Sequence, residues 1–238
     1  MKRLLSYLLA TLFFTLFGNG IKSVQAQDEQ TRMFDPTDPV VIYDPANPPE
    51  LPPAGEVGKW VKTNRLSWNT SSFKCYIYKG IPFRLKYPLN YDTTKTYPLY
   101  VFFHGRGEYG SIYDNEYSMA HGGQVHRDAV DKGKFNGFLL YPQNQTGGWS
   151  STYLTIVDQL IEDFLIPQAK VDPFRIFANG LSAGGSATWA FSIKYIKLVA
   201  AFTPISSATS SYINGVQNYK YTPIWHFQGG LDVAPTKL

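Results

Sequence analysis

Short apolar runs separated by turn signals fill the chain after Trp60. Leu99-Tyr100-Val101-Phe102-Phe103 ends at His104-Gly105, and Phe138-Leu139-Leu140-Tyr141 ends at Pro142. Runs this short and apolar on both faces predict buried strands of a parallel sheet. Residues 83–87 alternate as a strand does and lead into a turn over 88–96. Leu154, Val157, Leu160, Ile161, Phe164 and Leu165 recur at helical spacing, which predicts a helix over 153–168 with Pro167 near its end. A strand over 175–178, a helix over 183–196 and strands over 198–202 and 224–227 complete the pattern. Strands alternating with helices predict an α/β fold with a mostly parallel sheet.

The first 58 residues follow neither period. Lys2 and Arg3 precede a nearly unbroken apolar stretch over 4–17, broken by Gly18, Asn19 and Gly20. Val24-Gln25-Ala26 then offers the small-x-small pattern of a signal-peptidase site. The stretch falls short of the roughly 18–20 apolar residues that span a bilayer. Residues 1–26 therefore read as a cleaved signal peptide, and the mature protein as secreted or periplasmic. Residues 27–58 carry Asp35-Pro36, Asp38-Pro39, Asp44-Pro45 and Leu51-Pro52-Pro53. Proline removes donors and favours extended backbone, so this segment reads as a linker or surface strap. Residues 59–238 form the expected domain.

Composition adds bounds. With 44% hydrophobic residues, 17 Tyr and 16 Phe, the chain can build one sizeable core. The formal charge of +4 falls to about +1 once Lys2, Arg3 and Lys22 leave with the signal. No basic run remains, which argues against nucleic acid or an anionic membrane surface as partner. The single cysteine, Cys75, has no disulfide partner in the chain and reads as a structural residue.

Three segments carry chemistry. Gly180-Leu181-Ser182-Ala183-Gly184 lies between a predicted strand and a predicted helix. That setting lets flanking glycines form a sharp turn around a strained serine and lift its hydroxyl above the sheet. The helix N-terminus behind it favours a developing oxyanion. His104-Gly105-Arg106-Gly107-Glu108-Tyr109-Gly110 follows the 99–103 strand, where glycines let backbone approach a substrate closely. In a hydrolase of this kind the loop supplies one oxyanion-hole amide, from Arg106 or Gly107, and Ala183 supplies the other. Pro223 to Gly230 runs from a strand into a glycine turn, and Asp232 follows, placed to orient a catalytic imidazole. His104 and His226 read as structural. His121 and His126, spaced H-x4-H, are at best a weak metal pattern, and no metal or cofactor is expected.

From about Tyr97 onward the chain resembles secreted serine esterases of the α/β-hydrolase superfamily, near the polyhydroxybutyrate-depolymerase, feruloyl-esterase and dienelactone-hydrolase-like groups. The resemblance rests on the His104-Gly105-x-Gly107-Glu108 loop, Tyr141-Pro142-Gln143 with Trp149, the Ser182 elbow and the Gly-x-x-Asp232 turn. It implies a mostly parallel central sheet with helices on both faces. It also implies hydrolysis of a small or polysaccharide-linked ester through an acyl-enzyme, with Trp149 as a wall of the substrate pocket or a core residue. A serine peptidase of the same fold and a non-catalytic glycan-binding member are the alternatives. In this fold the triad runs Ser, Asp, His, yet His104, His121, His126 and His226 all precede Asp232. The last helix, final strand and histidine loop are therefore expected to be missing, leaving these 238 residues as an inactive fragment.

Overall fold

A computed structural model describes residues 46, 51–59, 66–195, 198–208, 215 and 217–232. The expected signal peptide and most of the proline-rich strap lie outside the described residues. Among the described residues, seven strands form one sheet: β1 (Val57–Lys59), β2 (Phe73–Tyr78), β3 (Ile81–Lys86), β4 (Tyr97–Phe103), β5 (Phe138–Pro142), β6 (Val171–Leu181) and β7 (Ala201–Ile205). Three helices alternate with the later strands: α1 (Gly123–Asp131), α2 (Ser151–Leu160) and α3 (Ala183–Lys194). Among the described residues no helix is long and apolar enough to cross a membrane.

The spatial order is β1-β2-β3-β5-β4-β6-β7. β5, β4, β6 and β7 pair in parallel, whereas β1, β2, β3 and β5 pair antiparallel in turn. Only β1 and β3 therefore run against the rest. The chain steps one way from β4 to β5 and the other way from β5 to β6. Right-handed crossovers then place α1 on one face of the sheet and α2 and α3 on the other. Packing agrees with that placement. Phe102 points to the α1 side, where it meets His126, Tyr141 and Val130. Its neighbour Phe103 points to the opposite side, against Phe191 of α3 and Trp149.

Several elements differ from their sequence expectations. The β6 ladder extends well beyond 175–178 in both directions, because its central residues are sandwiched between β4 and β7. The helix expected over 153–168 is α-helical only to Leu160. One π-turn over Ile161–Leu165 follows, with the Ile166 amide donating to the Ile161 carbonyl at 2.9 Å. α1 was not anticipated, since it has no apolar stripe: Val130 is buried, Val125 is exposed, and His126 covers much of the inner face. The strand expected over 198–202 is shifted to Ala201–Ile205. The segment over 224–227 makes only two parallel bridges to β7, Phe202 with Ile224 and Ile205 with Phe227, and Trp225 is exposed. β1 reaches back into the stretch assigned to the strap, pairing Val57 with Tyr78. Cys75 is half-buried on β2, its Sγ 3.5 Å from Asn115 Oδ1.

Candidate active site

Ser182 stands between the end of β6 and the start of α3, exposed at the sheet's C-terminal edge. Its backbone has φ 57° and ψ −115°, a left-handed conformation that costs a non-glycine residue about 1–3 kcal/mol. The surroundings hold it there. Its amide donates to the Ile205 carbonyl at 2.8 Å, and its carbonyl accepts from the Ser186 amide at 3.0 Å. The turn also admits no side chains beside it. A Cβ on Gly184 would lie 1.8 Å from the Phe103 carbonyl oxygen, and one on Gly180 would lie 2.3 Å from that of Gly184. Gly185, which the five-residue motif does not include, is under the same constraint: its Cβ would lie 2.4 Å from the Ile205 oxygen. The backbones of β4, β6 and β7 converge on the start of α3, and only glycine fits between them.

The His104–Gly110 loop lies against this turn. A Cβ on Gly105 would stand 3.6 Å from Ser182 Cβ and 3.4 Å from the Leu181 carbonyl oxygen. Residues Arg106–Glu108 form a single tight helical turn, with Arg106 and Gly107 exposed. The amides of Arg106, Gly107 and Ala183 make no backbone hydrogen bond among the described residues. They therefore remain available to an anionic oxygen near Ser182.

His104 fixes the loop. It is almost wholly buried, the Asn144 amide donates to its Nε2 at 2.9 Å, and Nδ1 lies 2.7 Å from the Gly105 carbonyl. Nε2 is thus an acceptor, and the proton sits on Nδ1. Burial pushes the ring's pKa down to about 4, outweighing the bond to Gly105. A neutral ring with both nitrogens engaged is a brace, as its place in the sequence implies. Trp149 adds a second tie, donating from Nε1 to the His104 carbonyl at 3.0 Å while packing on Phe103 and His104. Gln143 donates to the Glu108 carbonyl at 2.7 Å, and Gly110 donates to that of Asn144 at 3.3 Å. The Gln143-Asn144 pair after β5 therefore holds the loop after β4. The Tyr141-Pro142-Gln143 motif contains the first of these residues, and its role comes from this contact.

Glu108 belongs to the His104 loop motif, and the structure gives it a partner that the motif does not name. It is buried, with Oε1 2.9 Å from Nε2 of the exposed His121. His126 instead turns inward, to the hydroxyls of Tyr100 at 3.2 Å and of Tyr141. The H-x4-H pair is therefore split between two environments, and no metal-binding cluster forms among the described residues. His226 packs on Trp189. Among the described residues, no hydrogen bond joins Ser182 Oγ to a histidine. Asp232 is exposed, and its Oδ2 closes its own turn by accepting from Gly229 N at 2.8 Å and Gln228 Nε2 at 3.0 Å. Leu181 pairs with Ile205, and Ile205 with Phe227. Ser182 and Gln228 thus leave the sheet at one level, two strand spacings or roughly 10 Å apart. Asp232 follows at that same edge.

The crossover direction of this mixed sheet reverses beside the strained Ser182 turn, and solved structures share its overall fold. The chain has the α/β-hydrolase fold. It is similar to a thermostable esterase, with 29% identity and a TM-score of 0.58, over 65% of this chain and 46% of that one. It is similar also to a protein named FAE, with 16% identity and a TM-score of 0.50, over 83% of this chain and 75% of that one. The chain thus spans less than half the length of the thermostable esterase. No family model matches it, and no curated protein matches it.

Proposed function

We propose that this chain carries the nucleophile half of a secreted or periplasmic serine hydrolase that cleaves carboxylic esters through an acyl-enzyme. The observation that carries the reading is the backbone of Ser182, held at φ 57° between β6 and α3 with the Gly105 loop against it. Likeness to a thermostable esterase at 29% identity favours ester over amide cleavage. In this reading Ser182 Oγ attacks the ester carbonyl, forming a tetrahedral intermediate whose oxyanion takes the Ala183 amide and that of Arg106 or Gly107. Collapse expels the alcohol and leaves the acyl group on Ser182. Water then attacks the acyl-enzyme and releases the acid.

The proton acceptor is the part still to be supplied. His104 is committed to Gly105 and Asn144, His126 to two tyrosines and His121 to Glu108, while His226 packs on Trp189. The reading therefore assigns the base to a histidine following Asp232 in the whole protein, with Asp232 orienting it. Its test is a nitrophenyl ester assay on the purified 238-residue chain. Turnover should stay near the uncatalysed rate. Rapid turnover abolished by Ser182→Ala would instead place the base among the four histidines present.

A further inference from the structure

We infer that Glu108, gripped by His121, is a positioning residue that sets the Arg106 and Gly107 amides for the developing oxyanion; this rests on the esterase reading and adds to it a pair outside the Ser, Asp, His triad. The loop makes its tight turn over Arg106–Glu108, and Glu108 ties that turn through both backbone and side chain. Its amide donates to the Gly105 carbonyl at 3.4 Å, and its own carbonyl accepts from Gln143 at 2.7 Å. The side chain folds back toward Gly105. Glu108 Oε2 lies 2.8 Å from where a Cβ on Gly105 would be, a point 3.6 Å from Ser182 Cβ. The carboxylate therefore spans the turn beside the nucleophile, with the Arg106 and Gly107 amides on the arc between its two ends. Where the carboxylate sits decides how that arc is presented.

Burial makes this a costly place for an acid. Glu108 is buried, and its Oε2 has no hydrogen-bond partner among the described residues. Oε1 is held by Nε2 of His121 at 2.9 Å. A buried acceptor left unpaired lowers stability, so stability alone does not account for a carboxylate here. An exposed ion pair would contribute little. This carboxylate is removed from water, so the partner on Oε1 controls where it lies.

His121 serves as an anchor because the chain on either side of it is fixed. Just before it, Met119 is fully buried in the cluster that holds Phe102 and Tyr141. Just after it, the His126 amide closes the first turn of α1 on the Gly122 carbonyl at 2.9 Å, and the His126 ring meets the Tyr100 and Tyr141 hydroxyls. The H-x4-H spacing thus has a use that needs no metal. The second histidine docks α1 on the sheet, and the first reaches from that docked end to the oxyanion loop. Gln143, Asn144 and Trp149 hold the same loop from the segment after β5. The grip of His121 comes from α1 and is separate from those ties.

Nitrophenyl ester kinetics of the protein expressed to its stop codon test this role. Glu108→Ala and His121→Ala should each lower kcat at least about tenfold while KM stays within about twofold, because the amides they set act on the transition state. The double variant should be no slower than Glu108→Ala alone, since both changes break one contact. Glu108→Gln and His121→Gln each keep a hydrogen bond across the pair and should hold kcat within about threefold of the parent. Thermal melting of each variant shows that it is folded. An unchanged kcat in Glu108→Ala, or alanine variants whose effects multiply, would overturn the role. A second readout needs no reaction. In the 238-residue chain the amide proton NMR resonances of Arg106 and Gly107 should move in His121→Ala, which is remote in sequence, and move little in His121→Gln. Amides unmoved by His121→Ala would overturn the grip. Ser182-dependent turnover with kcat indifferent to Glu108→Ala overturns the positioning role alone. Amides that move as expected, without Ser182-dependent turnover, uphold the grip and overturn the esterase reading.

Discussion

At the scale of single residues, the glycines around Ser182 divide sharply by what surrounds them. A Cβ on Gly184 would overlap the Phe103 carbonyl oxygen at 1.8 Å, whereas one on Gly107 would meet nothing within 4 Å. Gly184→Ala should therefore cost about 3 kcal/mol in a denaturant melt, and Gly107→Ala should change stability by less than about 0.5 kcal/mol. Equal effects would mean that β4 does not press on the start of α3 as described. Two buried histidines make a second contrast. Burial lowers the pKa of His104 and of His126 to about 4 each, below the usual imidazole value. Between about pH 6.5 and pH 4 the unfolded chain takes up protons that the folded chain refuses. Stability is therefore complete above that window and falls as pH drops through it, by about 1.4 kcal/mol per pH unit for each ring. Urea melts at pH 7 and pH 5 should show the loss, and His126→Gln should remove about half of it. The motif glycines Gly180 and Gly184 were legible from their spacing. Gly185 and the partner of Glu108 were not, because they depend on Ile205 and His121, which only folding brings near.

At the scale of elements, the two loops of the site are held by different means. The Ser182 turn is fixed by backbone against backbone, while the His104 loop is fixed by side chains of His104, Gln143 and Trp149. Trp149→Phe would keep the packing on Phe103 and lose the indole bond to the His104 carbonyl. It should cost about 1 kcal/mol of stability. In the protein expressed to its stop codon it should also lower kcat more than it raises KM, because the oxyanion donors shift while the substrate surface persists. A change in KM alone would favour Trp149 as a pocket wall. β4, β5 and α3 were legible because their burial follows directly from apolar runs. α1 was not, since polar residues make up most of it and His126 takes the place of an apolar side chain. The π-turn after α2 left no mark in the apolar spacing.

Across the whole molecule, strand direction carries the functional argument. β4 and β6 are neighbours in space, with an excursion through α1, β5 and α2 between them in sequence. That reversal brings the His104 loop and Ser182 together from residues nearly eighty positions apart. Alternation of strands and helices foretold an α/β sheet, but not its antiparallel β1–β2–β3 flank. The order of histidines relative to Asp232 was plain in the sequence. Folding then engaged His104, His121 and His126 with other partners. The most direct test is nitrophenyl ester hydrolysis by the protein expressed to the stop codon of its reading frame, with and without Ser182→Ala. Turnover that falls to the uncatalysed rate on losing the Ser182 hydroxyl is the predicted result. Turnover that survives Ser182→Ala would contradict a serine mechanism at this site.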